Sequence, residues 1–215
     1  MPNKIEREYR NMTVRALEDD SKVVTGYAST FDEPYVLYDG DGWKYMEVVE
    51  RDAFKNTDMT DVIMQYDHRG RVFARTRNNT LEVEPDDKGL FIRADLGGTE
   101  IGRELYQEIS GGYTDRMSFG FAVDGEYEER EKTDEGVVIY TRHITSVGKL
   151  YDVSAVSIPA NDGTSIEADA TTRSISNLTD GVIERMQAER LEAERIELER
   201  RKTETRARAL LGGNN

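Results

Sequence analysis

Two histidines and no cysteine limit the chemistry open to this 215-residue chain. Without cysteine there is no thiol nucleophile, no disulfide and no thiolate metal site. An imidazole working near neutral pH must be His68 or His143. His68 follows VIMQYD and precedes RG, so it stands at a predicted strand end, held at a cleft or simply on a surface turn. Ser118 lies in RMSFGFAV, where alternation sets Met117, Phe119, Phe121 and Val123 on one face and Ser118, Gly120 and Ala122 on the other. That second face is nearly bare. Ser118 is either a nucleophile with clearance for a substrate backbone or an ordinary strand serine beside small packing partners. Asp152, in LYDVSAVSI, shares a face with Leu150, Ser154, Val156 and Ile158. A carboxylate on so apolar a face is costly unless paired. Orienting an imidazole would satisfy it; the other reading is a solvent-facing aspartate near a strand start. A serine hydroxyl needs an adjacent base, and that base an orienting group. Ser118, His68 and Asp152 are residue types suited to those roles. His143, in YTRHIT, is a rival orienting group or a plain strand histidine.

Other chemistries find less support. No HExxH, closely spaced histidine pair or Walker-type loop occurs, so neither a metal nor a nucleotide cofactor is expected. The GxSxG elbow of α/β-hydrolases is absent. A net charge of −14 argues against direct nucleic-acid binding. No apolar run is long enough to cross a bilayer, and MPNKIEREYRNMTVRA lacks the apolar core of a secretory signal, so the expected compartment is the cytoplasm of synthesis. Arg69, Arg71, Arg75 and Arg77 crowd RGRVFARTR, as a dock for an acidic partner or substrate strand, or as a solvated loop.

The elements that must position these residues are mostly short strands. KVVTGYAST, WKYMEVV, VIMQY, RMSFGFAV, VVIYTRHI and LYDVSAVSI read as strands, and TLEVE with GLFIRADL as a hairpin about PDDK. TEIGRELYQEISGG spaces Ile101, Leu105 and Ile109 by four residues, with Thr99 as N-cap and Gly111 past the end, which predicts an amphipathic helix. The class is α+β with mainly antiparallel strands. Residues 1–20 read as a polar, irregular N-terminal arm, 21–166 as the folded domain, 167–180 as a linker and 181–215 as a charged helical tail. The apolar positions of that tail keep no clean heptad, so a solvated helix with i,i+4 ion pairs is expected rather than a stable coiled coil.

Three segments together resemble the prohead protease family of tailed bacteriophages: QYDHRGRVFARTRNNTLEVEPDDKGLFIRADL, EISGGYTDRMSFGFAV with its distinctive MSFGF, and KLYDVSAVSIPAN, with acid-Val-Ser-x-Val before Pro-Ala. GYASTFDEP and EVVERDAF also look like the family's opening strand and loop. The resemblance covers roughly residues 21–166, in matching order and spacing. It implies kinship with herpesvirus capsid proteases and a β-barrel surrounded by helices. It also implies a serine endopeptidase inside the phage prohead, made in the bacterial cytoplasm. Such an enzyme cuts scaffold, or the scaffold-like extension of the major capsid protein, and itself, with 167–180 a candidate self-cleavage region. Carried over, Ser118 is the nucleophile, His68 the base and Asp152 the acidic third member, where the family pattern often has Glu. The herpesvirus relatives use a second histidine, which keeps His143 in view. Arg116 and Arg69 are candidates to assist the oxyanion. A homo-oligomer is expected and a membrane partner is not. The competing reading is a non-catalytic scaffold or minor capsid protein with a protease-like fold.

Overall fold

The computed structural model describes residues 8–16, 21–40, 42–156 and 170–211. Ten strands are described: β1 (Glu8–Ala16), β2 (Val23–Thr30), β3 (Tyr35–Gly40), β4 (Trp43–Val49), β5 (Ile63–Tyr66), β6 (Arg69–Arg75), β7 (Leu81–Pro85), β8 (Gly89–Asp95), β9 (Arg116–Lys132) and β10 (Val138–Val156). Two α-helices join them, α1 (Glu100–Ser110) and α2 (Ala170–Leu211). The strand path runs β3-β4-β10-β9-β1-β2-β8-β7, with β5 branching from β10 and carrying β6. The protein is therefore α+β and mainly antiparallel. The barrel implied by the resemblance is corrected: the path is open, and no closed barrel forms among the described residues.

β10 is the spine. One edge pairs antiparallel with β9 along nearly its whole length. The other edge takes two parallel partners in succession, β4 along Val138–Ile144 and β5 along Asp152–Ala155. Between them the β9–β10 ladder shifts register at several points from Ile144 to Asp152, as bulges do where a strand bends. The segment between β4 and β5 fills that gap. Val147 N–H donates to the Ala53 carbonyl, Leu150 N–H to that of Asp58, and the Thr57 hydroxyl to that of Val147. Asp58 also pairs with Lys149 at 2.7 Å. Farther up the spine, buried Arg142 reaches Glu47 on β4 at 2.9 Å and Glu126 on β9 at 2.6 Å, while Tyr35 on β3 donates to Glu47. A buried guanidinium is tolerable only with such partners, and here they tie four strands together.

Met117, Phe119 and Phe121 enter the core with Phe54, Met64 and Leu150, as alternation predicts. α1 follows its reading closely. The Thr99 side chain accepts from Gly102 N–H, Gly111 is the C-cap, and Leu105 and Ile109 are buried. Gly102 is required there, because a Cβ would come within 2.3 Å of the Leu96 carbonyl oxygen. The β7–β8 hairpin forms as expected.

Two stretches differ from the sequence reading. Residues 8–16, within the segment read as irregular, form β1, which pairs with β9 on one side and β2 on the other. Polar residues suffice for a strand when both edges find partners. α2 begins at Ala170, inside the stretch read as a linker. Its small and hydroxyl side chains cost only tenths of a kcal/mol each in a helix, roughly 0.5 per residue. Taken by itself, the later part of α2 carries exposed Arg–Glu pairs such as Arg190–Glu194 and Arg200–Glu204, with Leu191, Ile196 and Leu198 also exposed. No helix among the described residues is long and apolar enough to cross a membrane.

Asp58 yields a prediction. Hydrogen bonds from Lys149 and from Thr60 hold its carboxyl well below the usual carboxylate range. A depressed folded-state pKa stabilises the protein above the unfolded value of about 3.9, and that contribution is lost as pH falls toward the folded value. Asp58→Asn is therefore less stable than wild type near pH 7 in urea denaturation. The gap narrows below about pH 4; a gap unchanged with pH would contradict this role.

Candidate active site

The β9–β10 register sets Ser118 directly opposite Ser154, and Gly120 opposite Asp152. Directly opposed side chains share a face, with β-carbons roughly 5 Å apart. Ser118, Ser154 and Asp152 therefore stand on one face, with Ser118 diagonal to Asp152 at roughly 7 Å between β-carbons. Gly120 contributes no side chain, which leaves space over the carboxylate.

The imidazole arrives from β5. Asp152 pairs in parallel with Ile63 and Ala155 with Tyr66, and Asp67 N–H donates to the Ala155 carbonyl at 2.9 Å. The chain then reverses at once, because Tyr66 pairs with Arg69. Asp67 (φ 48°) and His68 (φ 57°) are the two central residues of the turn, both left-handed. A two-residue hairpin demands this geometry and usually places glycine at the second position. A histidine held there costs strain that ordinary packing does not call for. The turn folds the ring back over the sheet, and His68 Nδ1 lies 2.5 Å from Asp152 Oδ1. Their side chains are 5 % and 4 % exposed, so the contact is shielded from water. With the carboxylate ionised, Nδ1–H donates and the Nε2 lone pair is left on the opposite side of the ring.

The structure thus brings Ser118, His68 and Asp152 to one face. It does not bring His143 there. That ring lies nine residues earlier on β10, about 30 Å along an extended strand. It stacks on Tyr127 at 4.5 Å between centroids, with its nitrogens 3.6 Å from Glu50 and Glu129. Arg75 forms a bidentate pair with Asp61 at 2.6 Å, holding that carboxyl below its usual range, and Arg77 reaches the same carboxylate. Arg69 and Arg71 instead line a cleft of about 460 Å³ between the β5–β6 hairpin and α1, facing Glu104 and Glu108. Arg116 is on the Ser118 face, partly exposed, 3.6 Å from Asp115.

Two features escape the sequence reading. The face holding Ser118 is not bare: Ser118 is 0 % exposed and Ala122 5 %. Small side chains let other groups close over them, and alternation cannot say which. The turn is Asp67-His68 itself rather than the following HRG. Its signal is four residues, DHRG, between the runs IMQY and RVFA, and the strand resumes already at Arg69, which leaves Asp67 and His68 as the turn.

The turn makes a prediction. At φ near 50° a β-branched side chain is disfavoured and glycine is free. Asp67→Val should be less stable than Asp67→Gly by about 1–2 kcal/mol in denaturant unfolding. Equal stability would contradict the left-handed turn.

Comparison with known proteins adds a family. No curated protein and no solved structure matched the chain. A family model described as caudovirus prohead serine protease matches residues 10–180, which takes in most of β1, all of β2 to β10, and with them Ser118, His68 and Asp152. On that match, the chain belongs to the caudovirus prohead serine protease family.

Proposed function

We propose that this protein is the serine endopeptidase of phage prohead maturation, with Ser118 as nucleophile, His68 as base and Asp152 as orienting acid. The observation that carries the reading is the buried 2.5 Å contact from His68 Nδ1 to Asp152, on the sheet face that holds Ser118. In the mechanism, His68 Nε2 takes the Ser118 proton as Oγ bonds to the peptide carbonyl carbon. Asp152 stabilises the imidazolium that results. The same proton passes from Nε2 to the leaving amine as the C–N bond breaks, and a water deprotonated by His68 then releases the acyl group. Arg116, on the same face two residues from Ser118, is the better placed of the two arginines to assist the oxyanion.

The substrates in this reading are scaffold, or the scaffold-like extension of the major capsid protein, met inside the prohead. Self-cleavage within residues 170–180 would require the start of α2 to unwind. A peptide bond within a helix must unwind before it enters a protease, and helix is continuous from Ala170. Residues 157–169, with the Pro-Ala-Asn of the family-like motif, lie outside the described residues. The tail would then carry the enzyme into the assembling shell, and a homo-oligomer remains part of the proposal.

Complete burial of Ser118 is the observation that favours a second reading, an assembly protein with an inert protease-like fold. In the leading reading the described state is closed, and a peptide reaches Ser118 once the groups over that face lift away. Co-expression with the major capsid protein of the same phage, as wild type and as Ser118→Ala, separates the two. Processing should fall by roughly 10⁴–10⁶-fold in the variant. Equal processing by both would end the catalytic reading.

A further inference from the structure

Ser154 is a second hydroxyl beside the His68–Asp152 pair. Its Oγ donates to Asp152 Oδ1 at 2.7 Å, the same oxygen that lies 2.5 Å from His68 Nδ1. Ser154 is 0 % exposed and Asp152 3 %. The two are neighbours on one face of β10, two residues apart, and Ser154 is the residue directly opposite Ser118 on β9. It therefore stands directly across from the nucleophile and beside the acid. Among the described residues, His68 and Ser154 are the two side chains that hydrogen-bond Asp152.

Two serines flank one imidazole–carboxylate pair, and the hydrogen bonding divides their work. A hydroxyl that gives its proton to a carboxylate has only a weak base on it, since that carboxylate is already committed to the imidazole. The orienting group of such a pair keeps its charge through the reaction and does not take up the proton. Ser154 is thus poorly activated for attack. It is well placed for another task. A buried carboxylate needs donors to stay ionised, and a group hydrogen-bonded to a charge is stabilised more than one bonded to a neutral partner. A second donor on Oδ1 also stops the carboxylate from swinging, and so fixes the direction in which His68 presents Nε2.

We infer that Ser154 is a positioning residue of the peptidase. Its hydroxyl holds Asp152 ionised and fixed, so that His68 faces Ser118 in the Nδ1–H form. The inference rests on the function proposed above. Ser154 acts through Asp152 and does not touch the reacting atoms.

The test follows the rate at which a fluorophosphonate probe modifies the full-length protein as a function of pH, in wild type, Ser154→Ala, Ser154→Thr and Ser118→Ala. Removing one oxygen in Ser154→Ala leaves the carboxylate charge shared with fewer donors, which favours the imidazolium. The acid limb of the profile should then move to higher pH, and the plateau rate should fall roughly tenfold to a hundredfold. A merely structural role would lower the rate by one factor at every pH and leave the limb in place. Ser154→Thr keeps the donor, so its limb should stay at the wild-type position even if the added methyl slows the plateau. An unmoved limb in Ser154→Ala, or a moved one in Ser154→Thr, overturns the inference. Ser118→Ala separates the two levels of the argument. If it is inert while Ser154→Ala tracks wild type, only the role of Ser154 falls. If it still reacts, or if wild type does not, the proposed function falls with it.

Discussion

A carboxylate almost out of contact with water must be met by donors, and Asp152 is such a carboxylate. Most of what is distinctive in the fold serves that requirement. β10 carries Asp152 at the point where its second parallel partner begins, so the β5–β6 hairpin is anchored within reach. The hairpin closes with two left-handed residues, which aims the His68 ring back at the sheet rather than out to solvent. Gly120 opposite carries no side chain, and Ser154 supplies the second donor. Remove the need to satisfy Asp152, and neither the strained histidine nor the paired buried serines has a reason to be where it is.

The length of β10 explains how this arrangement is kept in register. A one-residue slip of β9 against β10 would move Ser118 to the core face and bring Met117 or Phe119 out. Core packing opposes that on one side, with Met117, Phe119 and Phe121 all within 1 % of complete burial. On the other edge, the Arg142 network fixes β4, and the Asp58–Lys149 pair with its backbone hydrogen bonds fixes the segment leading to β5. The bulged middle of β10 is therefore spanned rather than loose. Site geometry and core packing are enforced by the same ladder.

Features set by local sequence were legible. The Thr99 and Gly111 caps, the four-residue spacing in α1 and the apolar face of β9 are decided within a few residues, and the structure has them as read. So is the β7–β8 hairpin. What depends on pairing across long stretches of chain was not. β1 is polar, and its strand character comes from its partners, β2 next in the chain and β9 some hundred residues on. The open path of the sheet, the burial of the Ser118 face and the two successive partners of β10 arise the same way. The site itself stood between these cases. Residue type and family resemblance single out Ser118, His68 and Asp152, while alternation alone leaves each with an ordinary reading. Ser154 was visible as a neighbour of Asp152 on its face, but nothing local says where a hydroxyl will give its proton.

Catalysis by Ser118 depends on which nitrogen of His68 carries the proton. If Asp152 is ionised and takes the Nδ1–H, then Nε2 is left as the basic atom for Ser118. Nitrogen-15 NMR of the histidine side chains reads this directly, at a pH where the ring is neutral, with His143→Gln removing the other signal. A base acting on Ser118 through Nε2 requires a protonated Nδ1 and an unprotonated Nε2 at His68, with the preference lost in Asp152→Ala. A neutral His68 protonated on Nε2, or one indifferent to Asp152, would contradict it.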